Sequence, residues 1–187
     1  MYKLCKTEQS AARQRELEEG LLRAMEDQRY EDISISDLCQ QMGIPRKSFY
    51  RYFSGKDGAL YALLDHTLLE YERLSLNEED RKTEGINILE HFFYFWYQRK
   101  PLLDALESSG LSGVLTQRAV HHAVAESAVP AHYLSAVTKD MRRHAITFVV
   151  TGLMSIMVSW HNSGYDRPYQ EMAQLAGKML TQPLISI

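Results

Sequence analysis

Cysteine is scarce in this chain: two in 187 residues, Cys5 and Cys39. They sit in unrelated contexts, so neither a disulfide framework nor a zinc site is read from them, and a reducing cytoplasm is the expected setting. A surplus of positive charge is missing too. The formal net charge is -3, which gives no bulk attraction for nucleic acid. Strand-period alternation of useful length is absent, so the chain reads as all-α. No signal-peptide pattern is present, and residues 145–160, the most apolar stretch, are shorter than a membrane span and interrupted by hydroxyls. No membrane association is therefore expected. A Gly-rich phosphate loop, a nucleophile elbow and a paired His–Glu metal motif are all lacking, so no enzyme, no catalytic residue and no cofactor are expected. Residues 108–113, rich in Ser and Gly, read as a break between two helices. His121, His122, His132, His144 and His161 follow no familiar ligand spacing, and adjacent histidines cannot share one helix face, so no metal is expected.

What the chain does have is concentrated in residues 33–56. Ser34 is placed to cap a short helix, with Asp37 three residues on completing a capping box. Leu38 and Met42 form an apolar i, i+4 pair, Cys39 takes a small buried position, and Gly43 suits a left-handed C-terminal turn. Pro45 opens a second helix, where a missing N–H costs little. Phe49 and Phe53 face inward on it, leaving Arg46, Lys47, Ser48, Tyr50, Arg51 and Tyr52 to face outward. This is a helix-turn-helix whose second helix suits the major groove of DNA. Residues 1–57 balance at ten basic and ten acidic side chains, yet residues 44–56 hold four basic and no acidic ones. Phosphate neutralisation needs such a local patch, not a basic protein.

The flanks suit a three-helix head. Residues 8–27 are helix-forming, with Ala12, Leu17, Leu21, Leu22 and Met25 as the apolar positions, and Tyr30 and Ile33 close the small core. Ser54 and Asp57 repeat the capping-box pattern at the head of a long helix carrying Ala59, Leu60, Leu63, Leu64, Leu68 and Tyr71. The pattern from Tyr30 through Ile33-Ser34-Ile35, Asp37-Leu38-Cys39, Met42-Gly43-Ile44, Ser48-Phe49-Tyr50-Arg51-Tyr52-Phe53 and Lys56-Asp57 resembles the N-terminal domain of the TetR family of bacterial transcription regulators. The resemblance covers residues 8–70, about a third of the chain. It implies that Tyr50 and Lys56 bind backbone phosphates, and that Ser36, Arg46, Lys47, Ser48 and Tyr52 lie toward base edges or sugar-phosphate; Arg51 joins the expected DNA-binding set by its outward position on the helix. Two positions depart from the family pattern. Pro45 stands where a Ser or Thr cap is common, and Gly58 where a helix-forming acid is common, each costing ~1 kcal/mol.

A helix-turn-helix head over residues 1–56 leaves residues 57–187 for a helical ligand-binding and dimerisation domain, entered through a linking helix from about 57. The polar run at 77–82 reads as a loop. Along residues 145–160, Thr147, Thr151, Ser155 and Ser159 recur every four positions beside Gly152, on an otherwise large and apolar helix. A ridge of small residues lets another helix approach closely. Met172, Leu175 and Met179 mark a second amphipathic helix after Pro168. Such a helix pair resembles the family's dimer interface; an ordinary monomer core is the alternative. The aromatic run in a helix at 86–98 supplies His91, Phe92, Phe95 and Trp96, which with Met154 are candidate walls for an apolar or aromatic small-molecule effector, or else plain core. The expectation is a homodimer on a palindromic double-stranded DNA operator, a repressor released by effector. An activator, a constitutive DNA-binding dimer without effector and, last, a non-DNA-binding helical ligand-binding protein or enzyme are the alternatives.

Overall fold

The computed structural model describes residues 1–75, 88–125 and 137–182. All its regular elements are helical, as the lack of strand periodicity required. They are α1 (Glu8–Asp27), a 3-10 turn (Tyr30–Asp32), α2 (Ile35–Gln41), α3 (Arg46–Tyr52), α4 (Lys56–Ser75), α5 (Ile88–Tyr97), α6 (Lys100–Ser108), α7 (Ser112–Ala125), α8 (Arg142–Asn162) and α9 (Tyr169–Thr181). The expected loop at 77–82, the first residues of the helix expected over 86–98, and His132 lie outside the described residues.

The chain divides into two compact units, one of residues 1–67 with 104–111, the other of 68–103 with 112–187. The division falls within α4, after its first three turns, and it draws the end of α6 into the first unit.

In the first unit, α1 starts at a capping box in which Ser10 N–H donates to Thr7 Oγ1 at 3.2 Å. Its buried face carries Leu17, Leu21, Ala24 and Met25; Ala12, an expected core position, is exposed. Two polar groups take core positions instead. Gln14 and Glu18 are 2% and 3% exposed. The Cys5 thiol donates to Gln14 Oε1 at 2.7 Å, and His66 Nδ1 on α4 lies 2.8 Å from Glu18 Oε2. Burying polar groups requires such partners. The α1–α2 contact is close because Gly20 has no side chain: a Cβ there would lie 2.4 Å from Met42 Sδ.

In the second unit, α7 packs on α8, and α9 packs on α5 and α8. Ala123 and Ile146 are buried together, with Val124, Val137, Ala145 and Val150 against them. α8 runs 21 residues, longer than the apolar stretch read from sequence, and by length and apolarity it is sufficient to cross a membrane. Met154, Met157 and Trp160 on one side of it are buried. The turn after α8 places Gly164 and Tyr165 at φ of +74° and +60°. Tyr165 is held in that left-handed conformation by an edge-on contact with Trp160 at 4.8 Å and by His161 Nδ1, 2.9 Å from its hydroxyl.

Candidate nucleic-acid interface

The second helix of the motif is positioned from beneath. Phe49 and Phe53 are fully buried with their rings 5.1 Å apart, and α2 is capped as expected by Ser34, whose Oγ accepts from Asp37 N–H at 3.1 Å. Gly43 has φ +64°, a conformation most side chains resist, so the chain reverses into α3 there. Pro45 precedes α3 and offers no side-chain cap. With 49, 52 and 53 inward, the 3.6-residue repeat leaves 46, 47, 50 and 51 on one outward face, and Arg46, Lys47, Tyr50 and Arg51 are all exposed there. Arg46 Nη2 donates to the Tyr50 hydroxyl at 3.5 Å, which raises the guanidinium pKa further. Lys47 and Arg51 have no ion-pair partner among the described residues. Ser36 on α2 is exposed and Ser48 half-buried.

Two of the expected DNA-facing residues are placed otherwise. Tyr52 is 9% exposed, its ring 6.3 Å from that of Phe53, so it belongs to the head's core rather than its surface. The reason is register: position 52 lies three residues after Phe49, on the same inward face. The other is Lys56. Its Nζ donates to the carbonyls of Tyr30, Ile33 (2.7 Å) and Glu31 (3.3 Å), and it lies 4.3 Å from the centre of the Tyr30 ring. An ammonium has three donors; all three are spent on the 3-10 turn, so Lys56 ties the turn to the start of α4. The Tyr30 hydroxyl donates to Asp57 Oδ1 at 2.5 Å, and burial, then this bond and the carboxylate's charge, push the phenol well above its ordinary range. Tyr30 N–H in turn donates to Ser109 Oγ at 2.9 Å. Ser54, expected as a cap for α4, bonds Met1 instead, donating to its carbonyl at 2.8 Å.

The candidate effector residues fall in the second unit. Phe92, Phe95 and Trp96 of α5 are 6%, 2% and 1% exposed, and His91 is half-buried. Met154 is buried on α8. Tyr71 of α4, read from sequence only as an apolar position of the linking helix, organises the aromatics: it stacks on His91 at 5.6 Å and meets Phe92 and Phe95 edge-on at 5.9 and 5.1 Å. The signal available was an aromatic at the end of the linking helix, without any pattern to pair it with α5. The Trp96 indole N–H has no acceptor among the described residues, whereas that of Trp160 donates to Arg167 O at 2.9 Å.

Of the candidate dimer residues, Thr151, Ser155 and Ser159 are exposed on α8 with Gly152, and Thr147 is half-buried. Phe148 beside them is 78% exposed. On α9, Leu175 is exposed and Met179 half-buried, but Met172 is 5% exposed and lies in the protomer's own core, because it falls on the face shared with Ala173 and Ala176. Among the described residues no three His, Cys, Asp or Glu side chains converge to hold a metal.

Comparison with known proteins agrees with the helix-turn-helix and the helical second unit. Residues 86–182 match a TetR-family model described as a transcriptional regulator C-terminal region. The HTH-type transcriptional regulator EthR of Mycobacterium tuberculosis and that of Mycobacterium bovis are each 36% identical to the chain over 73 residues, 34% of this chain and 34% of the relative. The match thus spans about a third of the length of these curated relatives. The crystal structure of the TetR family repressor AlkX from a Dietzia strain, implicated in biodegradation of n-alkanes, shares the fold with a TM-score of 0.51, covering 88% of this chain and 91% of that one at 16% identity. A C-terminal match over more than half of the chain, joined to this N-terminal helix-turn-helix, makes the protein a member of the TetR family of transcriptional regulators.

Proposed function

We propose that this regulator acts as a homodimeric repressor that a small-molecule effector releases from a palindromic operator. The observation that carries the DNA reading is the outward face of α3: Arg46, Lys47 and Arg51 flank Tyr50 on a helix whose other face is locked by Phe49, Tyr52 and Phe53. Free cations on a rigid helix supply phosphate neutralisation and base contacts without an ordering cost. Ser36 and Ser48 sit beside that face as hydrogen-bonding groups.

One such helix reads too few base pairs for useful affinity, and two must lie about one helical turn, ~34 Å, apart. The exposed ridge of Thr151, Gly152, Ser155 and Ser159, with Phe148 beside it, supports pairing through α8. Only 22% of the most apolar window of α8 is buried within the protomer, and an apolar surface left this open favours a partner. On α9, Leu175 is exposed and Met179 half-buried, and they join the proposed pairing surface with Met172 packed in the core behind them. The aromatic group of Tyr71, His91, Phe92, Phe95 and Trp96 supports an apolar or aromatic effector. Its binding would favour a dimer with wrongly spaced recognition helices, acting in part through α4. Replacing Arg46 by Ala tests the DNA face: operator affinity falls at least about tenfold with the fold intact, and unchanged affinity would remove α3 from the interface.

A further inference from the structure

The last turn of α3 carries one exposed cation, Arg51, and the structure brings another beside it. Residues 1–3 run antiparallel to residues 52–54. Lys3 N–H donates to Tyr52 O at 3.0 Å, Ser54 N–H donates to Met1 O at 3.1 Å, and Tyr2 bridges Phe53 between them. Directly opposed residues in such a pair lie ~4.5–5.5 Å apart at Cα, so Lys3 stands beside Tyr52, the last residue of α3.

We propose that residues 1–3 are part of the DNA interface, and that Lys3 neutralises a backbone phosphate next to the C-terminal end of α3; this rests on the DNA-binding reading above. Side chains alternate along an extended segment. Tyr2 turns toward α4, where its hydroxyl donates to Asp65 Oδ2 at 2.8 Å and its ring meets His66 edge-on at 5.9 Å. Lys3 therefore turns the other way, and it is exposed. The segment is seated rather than draped. Gly58 of α4 gives it room, since a Cβ there would lie 2.5 Å from Met1 O.

Charge supports the same assignment. Lys3 has no ion-pair partner among the described residues. Of the acids near the segment, Asp57 accepts from Tyr30 and Asp65 accepts from Tyr2. Arg51, one position before Tyr52, is likewise exposed and free of ion pairs, so the two cations continue the basic edge of α3. A lysine is a point charge on a flexible stem, suited to a phosphate and ill suited to reading a base. Because the backbone of residues 1–3 is already held by two hydrogen bonds, the contact does not require ordering the segment on binding.

The test is the salt dependence of binding by the full-length protein to a mixed-sequence duplex. Lys3→Ala should flatten the slope of log affinity against log salt by about 0.9, equally on duplexes of different sequence. Lys3→Arg should restore the native slope, and Lys139→Ala, an exposed lysine of the other unit, should leave it alone. Thermal melting of each variant checks that the fold is kept, with Lys3→Gln as a second neutral variant. A native slope in Lys3→Ala and Lys3→Gln, while Arg46→Ala lowers it, overturns the Lys3 assignment and spares the α3 interface. No salt-dependent duplex binding by the native protein overturns both.

Discussion

Replacing Gly58 by Ala should destabilise this protein, although the same change in a bare helix stabilises it. Gly58 lies in the first turn of α4, where Ala is worth about 1 kcal/mol more than Gly. Against that gain stands a steric conflict: the new Cβ would lie 2.5 Å from Met1 O and 3.2 Å from Met1 C. These are backbone atoms and cannot swing aside as a side chain can, so residues 1–3 must leave. Their departure removes the Lys3–Tyr52 and Ser54–Met1 backbone bonds, the Ser54 Oγ–Met1 bond and the Tyr2–Asp65 bond. At about 0.5–1.5 kcal/mol each, net, the loss is about 2–6 kcal/mol, which exceeds the helix gain. In a chain shortened to begin at Leu4, those contacts are already gone, and Gly58→Ala should stabilise by up to about 1 kcal/mol. Urea unfolding of the four proteins forms a double-mutant cycle whose coupling energy equals the displaced contacts. A change of the same sign and size in both backgrounds would refute the reasoning. Gly20→Ala offers a contrast, because its Cβ would meet only the mobile end of Met42, which can rotate away at smaller cost.

Lys56→Gln should lower stability by about 1.5–3 kcal/mol, the worth of a charged hydrogen-bonding group, because it frees the 3-10 turn; a loss of DNA affinity with unchanged urea midpoint would instead make Lys56 a phosphate ligand. Gly152→Leu places a bulky group where a Cβ meets nothing within 4 Å in the protomer, so the fold should survive while sedimentation velocity reports monomers, and an unaltered dimer would move the interface elsewhere. Trp96→Phe keeps an aromatic ring but removes the indole N–H that lacks an acceptor. An effector bearing a carbonyl should lose about 0.5–1.5 kcal/mol of affinity, the net worth of one hydrogen bond, and a hydrocarbon of the same length almost none, measured by tryptophan fluorescence or calorimetry; equal losses for both would detach Trp96 from polar recognition.

The local signals in the sequence carried the fold because each had one structural solution. Ser34 capped α2, Gly43 took a positive φ, and Phe49 and Phe53 closed the head, since capping, chirality and i, i+4 spacing act over a few residues. What remained illegible depended on partners distant in the chain. Nothing near Lys56 in sequence announces the carbonyls of residues 30–33, more than twenty positions earlier, that its ammonium meets. Gly58 looks like a helix defect until Met1 is found above it. Gln14 and Glu18 read as surface polar residues, and only the fold supplies Cys5 and His66 to meet them. Tyr52 and Met172 take inward faces with Phe49 and with Ala173 and Ala176, placements left open by a tyrosine's mixed apolar and polar character and a methionine's adaptability.

Whether a dimer reads DNA through α3 is decided by selecting duplexes from a random pool with the purified protein at moderate salt and sequencing those retained. The expected result is a palindromic motif with half-sites centred about one helical turn apart, ~34 Å, and no such enrichment by the Arg46→Ala protein. A folded dimer that enriches no motif, or an Arg46→Ala protein that enriches the same one as strongly, would contradict it.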